Sequence, residues 1–236
     1  MDDNHVVTEV EPSFAAFKGM FAIVSLFAIV GGFLDAYSYL ARGHVFANSQ
    51  TGNIVLFAVR AAAGDWRSAW RTLPPVFAYM CGVAVARLLR VRRQKRTFRA
   101  TLICEALELL VLLGLLFFGR FVPDFCAVPL IAFFSALQNT SLSNVGPWPV
   151  NSTMTTANLR LAVSGWVQRA MGETDPNVRG EAIVGSVITL CFAAGALLGG
   201  VCTLHLPAFP LLPVVVLAAA GTLLTIRERQ RSLTNP

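Results

Sequence analysis

The sequence predicts an all-α polytopic membrane protein with about six full transmembrane helices, two short or re-entrant helices and an inverted internal repeat. Of the 236 residues, 55% are hydrophobic and only 14% are charged, against about 25% charged in ordinary soluble domains. The mean hydropathy is +0.62. The apolar residues lie in long continuous runs, whereas a membrane β-barrel has short alternating segments. These observations exclude a soluble enzyme domain, a disordered tail and a disulfide-stabilised mini-protein.

Eight hydrophobic segments predict helices that lie in or across a membrane. Two of them, 54–63 and 156–167, are too short for a full crossing, and each carries an arginine, Arg60 or Arg160. Because a lipid-exposed span tolerates arginine badly, both short segments are expected to stay close to water. The six longer segments are 20–40, 73–89, 100–118, 125–145, 183–201 and 208–226.

The distribution of the 19 Lys and Arg residues favours six crossings over eight. Cytoplasmic loops carry the excess of these residues, and the densest cluster lies between positions 87 and 99. If all eight segments crossed, 8 of the 19 would be cytoplasmic; if the two short segments do not cross, 14 are, and so are both termini. The chain then divides into an acidic cytoplasmic leader at 1–17, a first transmembrane repeat at 18–119, a second at 120–228 and a cytoplasmic tail at 229–236.

The two short segments and the turns before them resemble each other at an offset of 105 residues, which pairs Asp35 with Thr140. The order of elements also repeats: a long helix, a polar turn, a short helix and two long helices. With three crossings in each half, the second half enters the membrane from the opposite side, as in many secondary transporters. The identical pairs are Ser38 and Ser143, Val45 and Val150, Thr51 and Thr156, Asn53 and Asn158, and Leu56 and Leu161.

One stretch resembles the signature of a known family. The residues GFLDA at 32–36 are followed at 45–56 by VFANSQTGNIVL. This pattern resembles the YoaK family of bacterial inner-membrane proteins, whose function is unknown and which usually has Met where Gln50 stands here. The resemblance implies a multi-pass protein of the bacterial cytoplasmic membrane and leaves its activity open.

Asp35 is the first candidate for a functional residue because it lies inside the first apolar segment. A carboxylate at this depth costs several kcal/mol unless it faces protein, water or a cation. Its position favours a proton- or cation-coupling site. The alternative is a structural carboxylate that is held by a helix end or by Arg42.

Polar turns at 48–53 and 151–156 precede the two short segments. Non-helical backbone survives at membrane depth only where protein or water satisfies it, so the turns either line a shared solute site near the midplane or cap interfacial helices. The polar end of segment 125–145 supplies the other wall of such a site or hydrogen bonds between helices. Trp148, which follows this segment, is expected to be an interfacial anchor. The candidate solute- or ion-binding residues are Asp35, Ser38, Asn48, Thr51, Asn53, Gln138, Asn139, Thr156 and Asn158.

These features predict a small secondary transporter of a polar or anionic small solute, with proton coupling left open. The alternative is a membrane-embedded scaffold or interaction subunit. A membrane enzyme is less favoured, because His44 and Asp35 are the only nearby catalytic pair in the sequence. No cofactor or metal is expected, because the cysteines and histidines do not cluster. The expected partners are the lipid bilayer and an unknown small solute, without nucleic acid, and a homo-oligomer is left open.

Overall fold

The computed structural model describes residues 17–92, 97–153 and 155–234. The predicted leader, except for its last position, therefore lies outside the described residues. Part of the basic cluster and the last two residues of the predicted tail also lie outside them. The described residues form helices α1 (Lys18–Ala41), α2 (Gln50–Ala62), α3 (Trp66–Trp70), α4 (Leu73–Arg92), α5 (Thr97–Phe118), α6 (Asp124–Ser141), α7 (Thr155–Ala170), α8 (Pro176–His205) and α9 (Leu212–Thr234), a 3-10 turn (Gly119–Phe121), and strands β1 (Asn144–Val145) and β2 (Trp148–Pro149).

The expected all-α membrane class is confirmed. Four helical stretches among the described residues have the length and apolar composition to cross a membrane: Lys18–Ala41, Trp66–Leu89, Ala100–Phe121 and Pro176–His205. The two further full crossings, which the sequence places in α6 and α9, stay predictions.

The structure corrects the end of the fifth predicted segment. Helix α6 ends at Ser141, and a two-stranded hairpin follows in which Val145 pairs with Trp148. Trp148 is only 3% exposed, and its indole N–H donates to the carbonyl of Asn177. Its ring also packs edge-on against Phe17. The prediction of an interfacial anchor is therefore wrong, because the hairpin turns this side chain inward.

Helices α1 and α6 run antiparallel. At the end of α1, the Arg42 guanidinium donates to the carbonyls of Gly119 and Val122, just before α6, and pairs with Asp124 in its first turn. At the opposite end, Phe17 precedes α1 and contacts Trp148, which follows α6. Each of these helices therefore begins at the end of the molecule where the other finishes.

The first long helix of each half of the chain packs against long helices of the other half. α1 packs most extensively against α8 and also against α9, whereas α6 packs against α4 and α5. The short helices stay with the same partners, because α7 contacts α8 and α2 contacts α4. The chain thus builds two groups of helices, one of α1, α7, α8 and α9 and the other of α2 to α6. The segments 18–119 and 120–228 are consequently intertwined.

Glycines allow α1 and α8 to approach at backbone distance. A Cβ atom at Gly195 would collide with the backbone of Ile29, and one at Gly199 would lie 2.6 Å from the carbonyl oxygen of Phe33. Gly32 of α1 lies in the same way against the carbonyl of Phe192. Small residues at helical spacing are the usual device for close helix packing in membranes. They fix the position of α1, which carries the first candidate site residue.

Gly199→Ala should destabilise the protein by about 1–3 kcal/mol, because the added methyl group forces α8 away from α1. Gly200→Ala is the matched control: its nearest neighbour would be Leu40 Cδ1, at 3.9 Å, and its effect should stay within about 0.5 kcal/mol. Thermal unfolding of both variants in detergent measures this difference. Equal melting temperatures for the two variants would contradict the close packing of α1 on α8.

Candidate functional site

The first polar turn runs back along α1. Gly43 and His44 have positive φ angles of 79° and 55° and reverse the chain after α1. Ala47 N–H then donates to Ser38 Oγ over 3.0 Å. One residue later, the N–H of Asn48 donates to Asp35 Oδ1 over 2.6 Å. The turn is therefore held by side chains of α1.

The same turn reaches the middle of α1. The Asn48 side-chain amide donates to the carbonyl of Gly31 over 3.1 Å. Gly31 lies ten residues before Ala41, the end of the helix, which corresponds to a depth of about 15 Å at 1.5 Å per residue. All polar groups of a turn at this depth need partners within the protein or in a water-filled cavity.

Asn53 holds the start of α2 in place. Its Oδ1 accepts the N–H of Phe46, and its Nδ2 donates to the carbonyl of Phe46 and to Gln50 Oε1. Helix α2 then leads back outward, because Arg60 donates to the carbonyl of His44 over 2.8 Å. The short helix thus ends on the same side on which the chain left α1.

The second polar turn repeats these bonds. Asn139 Oδ1 accepts the N–H of Ser152, 13 residues later, which is the separation between Asp35 and Asn48. Asn158 pairs in both directions with the backbone of Asn151, seven residues earlier, as Asn53 does with Phe46. The predicted pairing of Asp35 with Thr140 is wrong by one residue. The number of residues between the equivalent bonded residues differs by one in the two turns, and a constant offset of 105 does not detect this difference.

The two turns meet beside Gly31. Its carbonyl accepts the Asn48 amide from the first turn. On its side-chain face lies the second turn, since a Cβ atom at Gly31 would lie 3.0 Å from the Ser152 carbonyl oxygen and 3.2 Å from Thr153 Cγ2. Because α1 and α6 are antiparallel, the turns enter from opposite ends of the molecule and converge at the middle of α1.

A cavity of about 880 Å³ lies where the turns converge, and we call it the turn cavity. Small-molecule sites usually have volumes of about 300–1,000 Å³. One face of α1, the first turns of α2 and α7 and one face of α8 form its walls. It is lined by Asp35, Ala36, Tyr39, Leu40, Phe46, Ser49, Gln50, Thr51, Thr153, Thr155, Thr156, Ala157, Arg160, Phe192, Ala196 and Gly200.

Three of the nine predicted site residues line the turn cavity, namely Asp35, Thr51 and Thr156. Asp35 is buried against the first turn, and the N–H of Asn48 donates to it. Arg42 does not hold it, because this guanidinium binds Tyr37 Oη and the carbonyls before α6. The other six predicted residues are buried outside the lining: Ser38, Asn48, Asn53, Gln138, Asn139 and Asn158.

Five of these six residues shape the turns and contribute no surface to the cavity. Each of the five forms at least one hydrogen bond to the backbone of a turn or of α1. Asn48 Oδ1 and Gln138 Nε2 are buried and have no hydrogen-bond partner among the described residues.

Several lining residues are not among the candidates that the sequence predicts. For Arg160, the sequence indicates only that the short helix stays near water. Arg160 lies five residues after the start of α7 at Thr155, where a side chain can reach back over the first turn. The hydroxyl and amide residues of the turns were visible in the sequence, but their orientation was not. The other omitted polar lining residues are Tyr39, Ser49, Gln50, Thr153 and Thr155.

Two further carboxylates are buried outside the turn cavity. Glu105 accepts a hydrogen bond from Thr225 of α9, and Glu108 accepts one from Ser135 of α6. The second oxygen of each carboxylate has no partner in the described part of the chain. The arginines near the start of α5 that could pair with Glu105 have side chains outside the described residues. These glutamates connect α5 to both helix groups.

Asn53→Ala and Asn158→Ala should each destabilise the protein by about 1–3 kcal/mol, because each removes a two-way bond and leaves buried backbone groups unpaired. Thr156→Ala is the control: Thr156 lies in the second turn region but is exposed, so the change should stay within about 0.5 kcal/mol. Thermal unfolding in detergent measures all three variants. A loss confined to one asparagine would contradict equivalent roles in the two turns.

The comparisons with known proteins agree with this architecture. Residues 23–224 match the family described as "Protein of unknown function (DUF1275)". A relative in Bacillus subtilis (strain 168), "UPF0700 transmembrane protein YoaK", is 28% identical over 141 residues, which are 58% of this chain and 63% of that protein. The matched part thus spans less than two thirds of the relative's length. No solved structure matches the chain. The resemblance seen at 32–56 is confirmed, and the chain is a membrane protein that belongs to the DUF1275 family.

Proposed function

We propose that this protein is a small secondary transporter that binds a polar solute in the turn cavity. One observation carries the proposal: polar turns from both halves of the chain meet at the middle of α1 and line one cavity. Many secondary transporters bind their solute near the bilayer midplane, at interrupted helices from two repeats. The starts of α2 and α7 take the place of such interrupted helices here.

We further propose that the two halves form an inverted repeat with six crossings and that both termini lie in the cytoplasm of a bacterial inner membrane. The antiparallel course of α1 and α6 and the matching bonds of the turns support the repeat. The return of α2 toward His44 supports a re-entrant element in place of a crossing. The excess of basic residues on one side supports the orientation.

The division into two helix groups offers a route for alternating access. The turn cavity lies mostly on the group of α1, α7, α8 and α9, and the first turn and α2 carry it to the other group. Rocking of one group against the other would open the cavity to alternate sides while the glycine contacts of α1 and α8 stay closed. Such rigid-body rocking is the usual motion of repeat-built transporters.

A membrane scaffold is the second candidate. The buried glutamates of α5 and the tight α1–α8 packing are features that a purely structural bundle would also have. The two candidates differ in whether a solute crosses the membrane, which proteoliposomes measure directly.

Ala157→Trp should strongly reduce solute flux and leave the fold intact, because Ala157 is exposed in the turn cavity and an indole there would occupy part of the space beside the polar turns. Val163→Trp is the matched control, since Val163 is exposed on the same helix and lies outside the lining. Uptake and efflux of a metabolite panel by proteoliposomes, with and without a pH gradient, measure the flux. Failure of the wild type to move any solute, or equal flux in both variants, would contradict the proposal.

Reporter fusions at Ser13 and after Pro236 should both report a cytoplasmic location, because 14 of the 19 basic residues lie inside in the six-crossing arrangement. A third fusion in the loop after α3, near Arg71, should report the opposite side. Termini on opposite sides would rule out the six-crossing arrangement and the inverted repeat with it.

A further inference from the structure

The turn cavity is lined by one acidic and one basic side chain. Asp35 of α1 and Arg160 of α7 are these two residues among its lining. They do not pair with each other. The ion pairs among the described residues join Arg42 to Asp124 and Arg231 to Glu228. The cavity thus offers an acidic group and a basic group that are not bound to each other.

Arg160 is available to a ligand. In the described part of the chain its guanidinium has no hydrogen-bond or ion-pair partner, and its side chain is exposed. Arg60, the arginine of the other short helix, is different because it donates to the carbonyls of Ser68 and His44. Arg160 therefore provides a planar set of donors that suits a carboxylate.

Asp35 is the acidic residue of the cavity lining. It is 6% exposed, and the N–H of Asn48 fixes one of its oxygens. Asp35 lines the cavity, and no Lys, Arg or His of the described residues forms an ion pair with it. An ammonium that leaves water needs such a partner to offset its loss of hydration. Hydroxyl groups of both turns lie in the same lining and can bind further polar atoms: Ser49, Thr51, Thr153, Thr155 and Thr156.

We infer that the solute is a small zwitterion of the amino-acid type, with its ammonium group at Asp35 and its carboxylate at Arg160. This inference rests on the proposed transport function and narrows its solute class. A simple anion would leave the acidic group of Asp35 without a cationic partner, and a simple amine would leave Arg160 without an anionic one. A zwitterion provides a partner for both groups at once. Leu40, Phe46 and Phe192 form an apolar wall for its side chain.

The test uses the full chain and matched probes. L-serine has both charged groups, ethanolamine has only the ammonium group and 3-hydroxypropionate has only the carboxylate. The remaining common amino acids extend the series of zwitterions. Thermal stabilisation of the protein in detergent measures binding, and proteoliposome uptake measures transport. At least one zwitterion should bind about tenfold or more tightly than its matched amine and acid, because each lost charged contact costs about 1.5 kcal/mol or more.

Variants of Arg160 test which charged group of the solute binds at this residue, and they change an exposed side chain. Arg160→Gln should weaken zwitterion binding about tenfold or more and leave amine binding unchanged, while Arg160→Lys should retain part of the affinity. Arg169→Gln is the control, because Arg169 is exposed on the same helix outside the lining. Asp35→Asn keeps an oxygen for the Asn48 N–H, so this variant should fold and lose the preference for an ammonium group.

The outcomes separate this inference from the proposed function. Flux of sugars or simple anions without binding of any zwitterion would overturn the zwitterion assignment and leave the transporter intact. Unchanged zwitterion affinity in Arg160→Gln would overturn the assignment as well. Binding of a zwitterion that depends on Arg160, without flux of any solute, would support the site and contradict transport.

Discussion

The arrangement depends on one backbone position at the middle of α1. The carbonyl of Gly31 accepts the Asn48 amide from the first polar turn, and its missing side chain admits Ser152 and Thr153 of the second. Backbone away from a regular helix is tolerated at membrane depth only if its polar groups are satisfied. Bonds from α1 and from Asn139 satisfy two of the backbone N–H groups of the turns. A Cβ atom at Gly31 would lie 3.0 Å from the Ser152 carbonyl oxygen, so any side chain there would crowd the second turn.

The intertwined packing of the helices places the meeting point of the turns between the two halves of the chain. Because α1 packs on α8 and α6 packs on α4, each half supplies its first long helix to the helix group formed by the other half. A solute between the turns would contact both halves and both groups, so its binding could bias their relative position. Asp35 and Arg160 both line the cavity between the turns.

Much of the architecture follows from the sequence, and the details of the site do not. Apolar runs predict the long helices because a bilayer demands about 20 apolar residues for each span. The GFLDA and TGN motifs identify the family and the first turn. The sequence gives no indication that Trp148 turns inward or that Asn139, and not Thr140, corresponds to Asp35, because both depend on tertiary hydrogen bonds. A constant offset detects repeated residues, and only the structure shows repeated bonds. For the same reason the sequence could not separate Asn53, a support of the turn, from Thr51, which lines the cavity.

The most direct test of the account is whether the two turns face one water-filled cavity at membrane depth. In a background in which the five native cysteines are replaced by serine or alanine, Thr51→Cys and Thr156→Cys place one thiol on each turn. The account predicts that a water-soluble maleimide labels each thiol from solution and that a short bis-maleimide joins them within one chain. Val163→Cys in place of Thr156→Cys should not cross-link to the first turn. Absence of labelling at both turn positions, or cross-linking that occurs equally with Val163→Cys, would contradict the shared cavity.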